Sequence, residues 1–457
     1  MGNGVKDNME KNLTTGSVFR NIVYFSSPYL LSYFLQTLYG MADLFITGQF
    51  RGVDGITAVS NGSQVMYMIT VIIVGLAMGA TVVIARGIGA RHLEDVAKAI
   101  GNTVTLFMVV SVGITVGLVA LVKPIVMLIA TPTEAVAGTT AYLIVCFMGI
   151  PFITAYNIIS AIFRGLGDSK SPMYFIGIAC VANIALDYLF IGACDLGPIG
   201  AALGTTLSQT LSVIIALVTI RKRKTGITLK KSDFKPRWEV LKQVLKIGIP
   251  VALQDGFIQV AFIIITVIAN QRGLNDAAAV GIVEKVIGTL FIVPSSMLAT
   301  VSALSAQNIG AEKGKRAEKT LYYATCITTG YGIVVAVVIQ FIAESVVGIF
   351  TADAAVIILG SEYIRSYIWD CILAGIHFCF SGYFCACGKS YIGFMHNTIA
   401  IVFVRIPGSY LASKCFADTL YPMGFASVGG SVVSVSICLV AFFLLKHRER
   451  KMQKGYA

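Results

Sequence analysis

Long apolar runs recur along this chain from about residue 20 to about residue 446, each near the length that crosses a bilayer. A transmembrane helix needs about 20 predominantly apolar residues. One such run would be an anchor, but a dozen make hydrocarbon the main solvent of the fold. Of the 457 residues, 56% are hydrophobic and 13% charged, too little charge to cover a soluble protein of this size. In lipid only helices and closed barrels satisfy their own backbone. Runs of this length predict helices, so the fold class is an all-α polytopic membrane protein.

Charged breaks divide the apolar sequence into twelve spans. The first six cover roughly 20–48, 55–85, 96–122, 136–164, 171–192 and 198–220. The second six cover roughly 241–270, 277–307, 318–346, 356–386, 392–414 and 423–446. The polar stretch up to Thr15 has no charged-then-apolar leader with a small-residue cleavage site, so no cleaved signal peptide is expected. One long polar connection, RKRKTGITLKKSDFKPRWE, separates the two sets of six. The expected organisation is an N-lobe over 1–220, a cytoplasmic linker over 221–240 and a C-lobe over 241–457 with a basic tail.

The net charge is +12. The basic residues lie mainly between the apolar runs, where they set orientation, and nucleic acid is not expected as a partner. With the N-terminus inside, the inner segments hold Lys6, Lys11, Arg20, Arg86, Arg91, Lys98, Arg164, Lys170, the 221–242 cluster, Lys313, Lys315, Arg316, Lys319, Lys389 and the tail. The outer loops hold only Arg51, Lys123, Arg272 and Lys414. Both termini are therefore expected in the cytoplasm of a plasma-membrane protein, with lipid around it. The ten cysteines have no zinc spacing and read as small apolar packing residues.

The halves repeat. Pro28 aligns with Pro250, "ARGIGA" (85–90) with "AQNIGA" (306–311), "AYLIVCFMGI" (141–150) with "EYIRSYIWDC" (362–371), and "GPIGAALG" (197–204) with "YPMGFASV" (421–428). The offset between matched positions stays nearly constant from the first pair to the last. With six spans per repeat, both halves enter the membrane in the same direction. That predicts two six-helix lobes related by a pseudo-two-fold axis along the membrane normal, with a substrate path between them.

Charges at membrane depth are functional candidates. Asp43 lies 23 residues after Arg20, roughly 35 Å along a helix. Asp187 lies 17 residues after Lys170, roughly 25 Å along. Asn183 shares a helix face with Asp187, and Gln36 shares one with Asp43. Thr205 re-enters the membrane after the turn "DLGPIG". Carboxylate, amide and hydroxyl oxygens at one depth suit a proton or a hard monovalent cation. Unpaired carboxylates in low dielectric must find one or the other. The alternative is that each Asp caps a broken helix or faces water.

The second half carries Asp255, Glu284, Lys285, Arg365, Asp370, His377 and Arg405 within spans. They read either as internal ion pairs or as a polar wall for cationic substrates. Pro28, Pro151, Pro250 and Pro294 fall within spans, where each favours a kink, and bending at Pro28 would move the surroundings of Asp43. GLAMG (75–79) reads as a helix-packing pattern. The phosphate loop, nucleophile elbow, metalloprotease and EF-hand motifs do not occur, so no enzyme is expected, and the energy must come from an ion gradient or a partner.

The order and spacing of Pro28…Gln36…Asp43, "ARGIGA", "FRGLGDSKSP" (163–172), "NIALDYLFI" (183–191) and "GPIGAALGTTLSQ" (197–209) resemble prokaryotic multidrug and toxic compound extrusion (MATE) transporters. The stretch 277–311 is similar too. The resemblance implies a V-shaped pair of lobes exporting organic cations in exchange for H⁺ or Na⁺; no further cofactor and a monomer are expected. It places the cation site on Asp43, Asn183, Asp187 and Thr205, the only place where a metal ion, Na⁺, is expected. Gln36, Tyr142, Asn157, Asp255, Glu284 and Asp370 are expected to line the substrate cavity, and Pro28 to bend the first helix. The alternatives are a lipid-linked oligosaccharide flippase of the same broader superfamily and, from another class, a membrane-embedded enzyme or receptor.

Overall fold

The computed structural model describes residues 13–129, 131–222 and 227–455. Lys6, Lys11 and four residues of the long connection, 223–226, lie outside them. Twelve helical segments follow the twelve apolar runs. In the first half these are α1 (Val18–Phe50), α2 (Val53–Gly89), α3 (Leu93–Ala120), α4 (Thr133–Leu166), α5 (Lys170–Asp187, continued by a π-helical turn, Tyr188–Ala193) and α6 (Pro198–Lys222). In the second they are α7 (Trp238–Asn270), α8 (Leu274–Leu290 with Ile292–Gly310), α9 (Gly314–Gly348), α10 (Ala354–Tyr367 with Asp370–Ala386), α11 (Tyr391–Ala400, a π-turn Ile401–Arg405, and Ile406–Cys415) and α12 (Tyr421–Gly455).

Among the described residues, nine of these are long and apolar enough to cross a bilayer, and α10, bent by 43° at its break, makes a tenth. α1 and α11 fall short for a local reason: α1 carries Ser26, Ser32, Gln36 and Asp43, and α11 carries His396, Asn397 and Arg405. Pro28, Pro151 and Pro250 lie inside helices. Pro294 sits just after the break in α8, where a residue lacking an N–H loses little.

The chain forms two compact units, one of residues up to Ala252 with Gln307–Lys313, the other of Leu253–Ala306 with Gly314 onward. The start of α7 joins the first unit because a Cβ at Gly75 or Gly79 would strike Ala252 Cα at 2.6 Å or Val244 O at 2.1 Å. The GLAMG pattern thus packs one helix on another. The long connection is tied down as well: Asn102 on α3 donates to Asp233 O at 3.0 Å and accepts from Arg237 N at 2.6 Å.

Each unit repeats the same contacts. Thr81 Oγ1 donates to Ala161 O at 3.0 Å. At the repeat offset, Ser302 Oγ donates to Gly382 O at 3.2 Å. Gly167 and Gly388, another matched pair, both hold a positive φ after α4 and α10, a helix-ending conformation that suits glycine. Six cysteines are buried as packing residues; Cys194, Cys326 and Cys415 are instead exposed and Cys387 is intermediate, a correction to the sequence reading of all ten.

Close helix crossings need small residues. A Cβ at Gly165 would meet Ile84 Cβ and Thr81 O, both at 2.9 Å, whereas one at Gly117 would meet nothing within 4 Å. Gly165→Val should therefore destabilise the protein by about 1–3 kcal/mol, and Gly117→Val should not. Thermal unfolding of the purified variants in detergent checks this, and equal melting temperatures for the two would contradict the packing.

Candidate functional site

Three helices of the first unit place the sequence-predicted cation residues together. α1 brings Asp43, α5 brings Asn183 and Asp187, and α6 brings Thr205. Asp43 is 3% exposed, and Asn183 and Asp187 are 0% exposed. Thr205 Oγ1 donates to Asp43 Oδ2 at 3.0 Å. Asp187 and Asn183 reach the carboxylate of Asp43 closely enough to interact with it. Neither completes a hydrogen bond of ordinary geometry. Among the described residues, Asp43 Oδ1, both Asp187 carboxylate oxygens and both polar atoms of Asn183 have no protein partner. Buried polar atoms are nearly always paired, and five orphans at one point mark a place built for a partner that protein does not supply.

The backbone is shaped to hold this pair. Asp187 is the last α-helical residue before the π-turn Tyr188–Ala193; π-turns are rare and concentrate at functional sites. Gly204, on α6 beside Thr205, opens the space that Asp187 fills: a Cβ there would lie 2.1 Å from Asp187 Oδ1. Periodicity gave no reason to single out Gly204. Its signal was a glycine next to a predicted ligand. At the far end of α1, Arg51 pairs with Asp195 at 2.8 Å, tying α1 to the turn between α5 and α6.

Tyr142 joins this neighbourhood. It is 2% exposed, it hydrogen-bonds Ser63 Oγ at 3.0 Å, and it feels the charge of Asp43. Its ring fills the space over Gly62, where a Cβ would meet Cδ1 at 2.2 Å. Gln36 and Asn157 sit elsewhere. They line a small cavity of about 20 Å³ with Tyr29, Ser32, Val74, Tyr156 and Arg164, enough for a water. Tyr142 does not line that cavity. Arg164, read from the sequence as a topology charge, lies 5.0 Å from the Tyr29 ring centroid.

In the second unit, Glu284 and Asp370 gather with a basic residue. Tyr363 OH donates to Glu284 Oε1 at 3.1 Å. Arg405 Nη2 donates to the Tyr367 hydroxyl, and Arg405 acts electrostatically on both carboxylates. Asp255 is not part of this cluster: it is half-buried on α7 and acts on Cys385. His377 and His396 stack edge to face at 5.5 Å.

Repeated helices long and apolar enough to cross a membrane, with polar groups gathered at depth, make the fold of a multi-pass membrane protein. The sequence profile of the MatE family matches residues 28–189 and again 250–411, and the chain belongs to that family of multidrug efflux transporters. The two matches start at the prolines that began the repeat alignment. The chain is 27% identical to a probable multidrug resistance protein, YpnP, of Bacillus subtilis, over 88% of this chain and 90% of that one. It is 25% identical to the multidrug export protein MepA of Staphylococcus aureus, over 96% of each. A crystal structure of MATE in the bent conformation superposes with a TM-score of 0.88 at 23% identity, over 97% of this chain and 98% of that one.

Because Gly204 leaves the room that Asp187 occupies, Gly204→Ala should push the carboxylate aside. The expected result is a loss of drug efflux of about tenfold, the cost of roughly 1.4 kcal/mol, with normal membrane insertion. Gly113→Ala, where a Cβ meets nothing within 4 Å, is the control. Full efflux in Gly204→Ala vesicles would show that the position of Asp187 does not matter.

Proposed function

We propose that this protein is a secondary active antiporter that exports organic cations in exchange for H⁺ or Na⁺ by alternating access. The observation that supports this most directly is the buried pair Asp43–Asp187, which makes no ion pair among the described residues and leaves oxygens unpartnered. Two carboxylates so placed repel one another in a medium of low dielectric. A proton or Na⁺ held between them removes that cost, with Thr205 and Asn183 as neutral ligands. The protein supplies acceptors and a carbonyl-like amide, the ligand chemistry of a hard monovalent cation.

Coupling requires that ion and drug prefer different packings of the same element. α1 is the candidate. It runs unbroken from Val18 to Phe50 with Pro28 inside, so the backbone N–H of one turn is missing fifteen residues before Asp43. Ser32 Oγ bonds Pro28 O at 2.8 Å one turn on. The small pocket of Gln36 and Asn157 lies roughly 10 Å from Asp43 along α1, within the reach of a bend. Ion loading favours one packing of α1 and substrate the other.

Asp43→Asn and Asp187→Asn should each abolish gradient-driven ethidium efflux from proteoliposomes while leaving the protein folded. The pair acts as a unit, so the double variant should be little worse than either single one. Retained coupling in both single variants would place the ion elsewhere. In the same reading both termini face the cytoplasm of the plasma membrane, the chain works as a monomer, and the 221–240 connection is cytoplasmic. A cysteine placed at Thr225 should resist an impermeant thiol reagent in intact cells and react in inverted vesicles. The opposite pattern would reverse the topology.

A further inference from the structure

The two halves hold corresponding residues in corresponding contacts, so a difference in chemistry between them carries information. Ser63 and Tyr142 are hydrogen-bonded at 3.0 Å in the first unit. Glu284 and Tyr363 stand at the same offset from them as Ser302 does from Thr81, and they are hydrogen-bonded at 3.1 Å in the second unit. The contact is kept while a hydroxyl becomes a carboxylate. On α11 the π-turn Ile401–Arg405 adds one position to the helical register. That advances the offset by one, to the value that separates the ends of the two family matches, at 189 and 411. At that offset Arg405 stands where Asn183 stands on α5.

The guanidinium is held by the second unit itself. Its carbon lies 5.0 Å from the Phe262 ring centroid and 5.4 Å from that of Tyr367, and Nη2 donates to the Tyr367 hydroxyl. Two aromatic faces replace part of its hydration. The charged and titratable groups around it are Glu284 on α8, Tyr363, Tyr367, Asp370 and His377 on α10, and His396 on α11, next to His377. Asp370 is 2% exposed. Among the described residues, Asp370 Oδ1, Glu284 Oε2 and Arg405 Nε have no protein partner.

We propose that Arg405 is a tethered counter-ion, occupying in the second half the place that the mobile cation takes in the first. Asn183 is neutral and leaves Asp43 and Asp187 to solution cations. Arg405 carries a permanent charge, so the Glu284–Asp370 cluster needs one fewer cation than a bare carboxylate pair. The inference rests on the antiporter reading only for what it says of the first half. Arg405 is a specificity-determining residue that sets how many cations the chain can load.

The test is total cation uptake by the purified full-length chain in nanodiscs, as radioactive Na⁺ binding plus proton uptake recorded with a pH indicator. Arg405→Asn should take up one more cation per chain than wild type, and Arg405→Lys should not. Glu284→Gln in the Arg405→Asn background should remove the gain. Equal uptake in Arg405→Asn and wild type would overturn the proposal. Failure of the first-half reading looks different: Asp43→Asn would leave uptake untouched while the Arg405→Asn gain persisted. If Arg405→Asn proves too unstable to assay, its melting temperature decides. A counter-ion role predicts that Glu284→Gln recovers most of the loss, because it removes the unbalanced charge. A packing role between Phe262 and Tyr367 predicts simple additivity, and additivity would sink the proposal.

Discussion

In hydrocarbon a backbone N–H has no water to turn to, and the rest of this structure follows from that constraint. Each unsatisfied group costs several kcal/mol, so the chain is helical wherever it meets lipid. Departures from α-helix are confined to a few points. Two are π-turns, Tyr188–Ala193 and Ile401–Arg405, and each adjoins a charged residue at depth, Asp187 and Arg405. A π-turn keeps every N–H bonded while rotating the residues beyond it about the helix axis. The helix can then aim an ionisable side chain inward without exposing its backbone. α1 meets the same demand differently: Pro28 removes one donor and Ser32 bonds the proline's carbonyl.

The spans and the repeat were legible because hydropathy reports the solvent each residue meets. Residues 20–48 and 392–414 were recognised as spans despite their polar content, since charged breaks bound them on both sides. The grouping of Asp43 with Asp187 came from the resemblance to MATE transporters, since helix rise alone set them roughly 35 and 25 Å from their inner ends. What stayed hidden depends on lateral contact. Gly204 matters only because Asp187 packs against it, and no period along α6 carries that fact. The separation of Tyr142 from Gln36 and Asn157 has the same origin. α4 carries Tyr142 and Asn157 fifteen residues apart, roughly 22 Å of rise.

The first unit runs to Ala252, past the polar connection. Composition put the division in the polar connection, where charge is densest. Contact puts it inside α7, because the glycines of α2 let the start of that helix approach within van der Waals distance. Backbone proximity made possible by a missing side chain outweighs the chemical character of the loop. The loop is itself fastened to α3 through Asn102, which sequence alone presents as one more polar residue at the end of a span.

The halves are most informative where they disagree. Thr81 and Ser302 make the same bond to the same backbone position, so the scaffold of the repeat is intact. Against that fixed frame, Ser63 facing Tyr142 has become Glu284 facing Tyr363, and the place of Asn183 holds Arg405. The two replacements compensate in sign. A carboxylate added at the position of Ser63 would be costly alone in low dielectric, and so would a guanidinium at the position of Asn183. In the first half that place holds neutral Asn183, and Arg164 stands apart from it, over the Tyr29 ring. The two carboxylates of that half, Asp43 and Asp187, keep oxygens without a protein partner among the described residues.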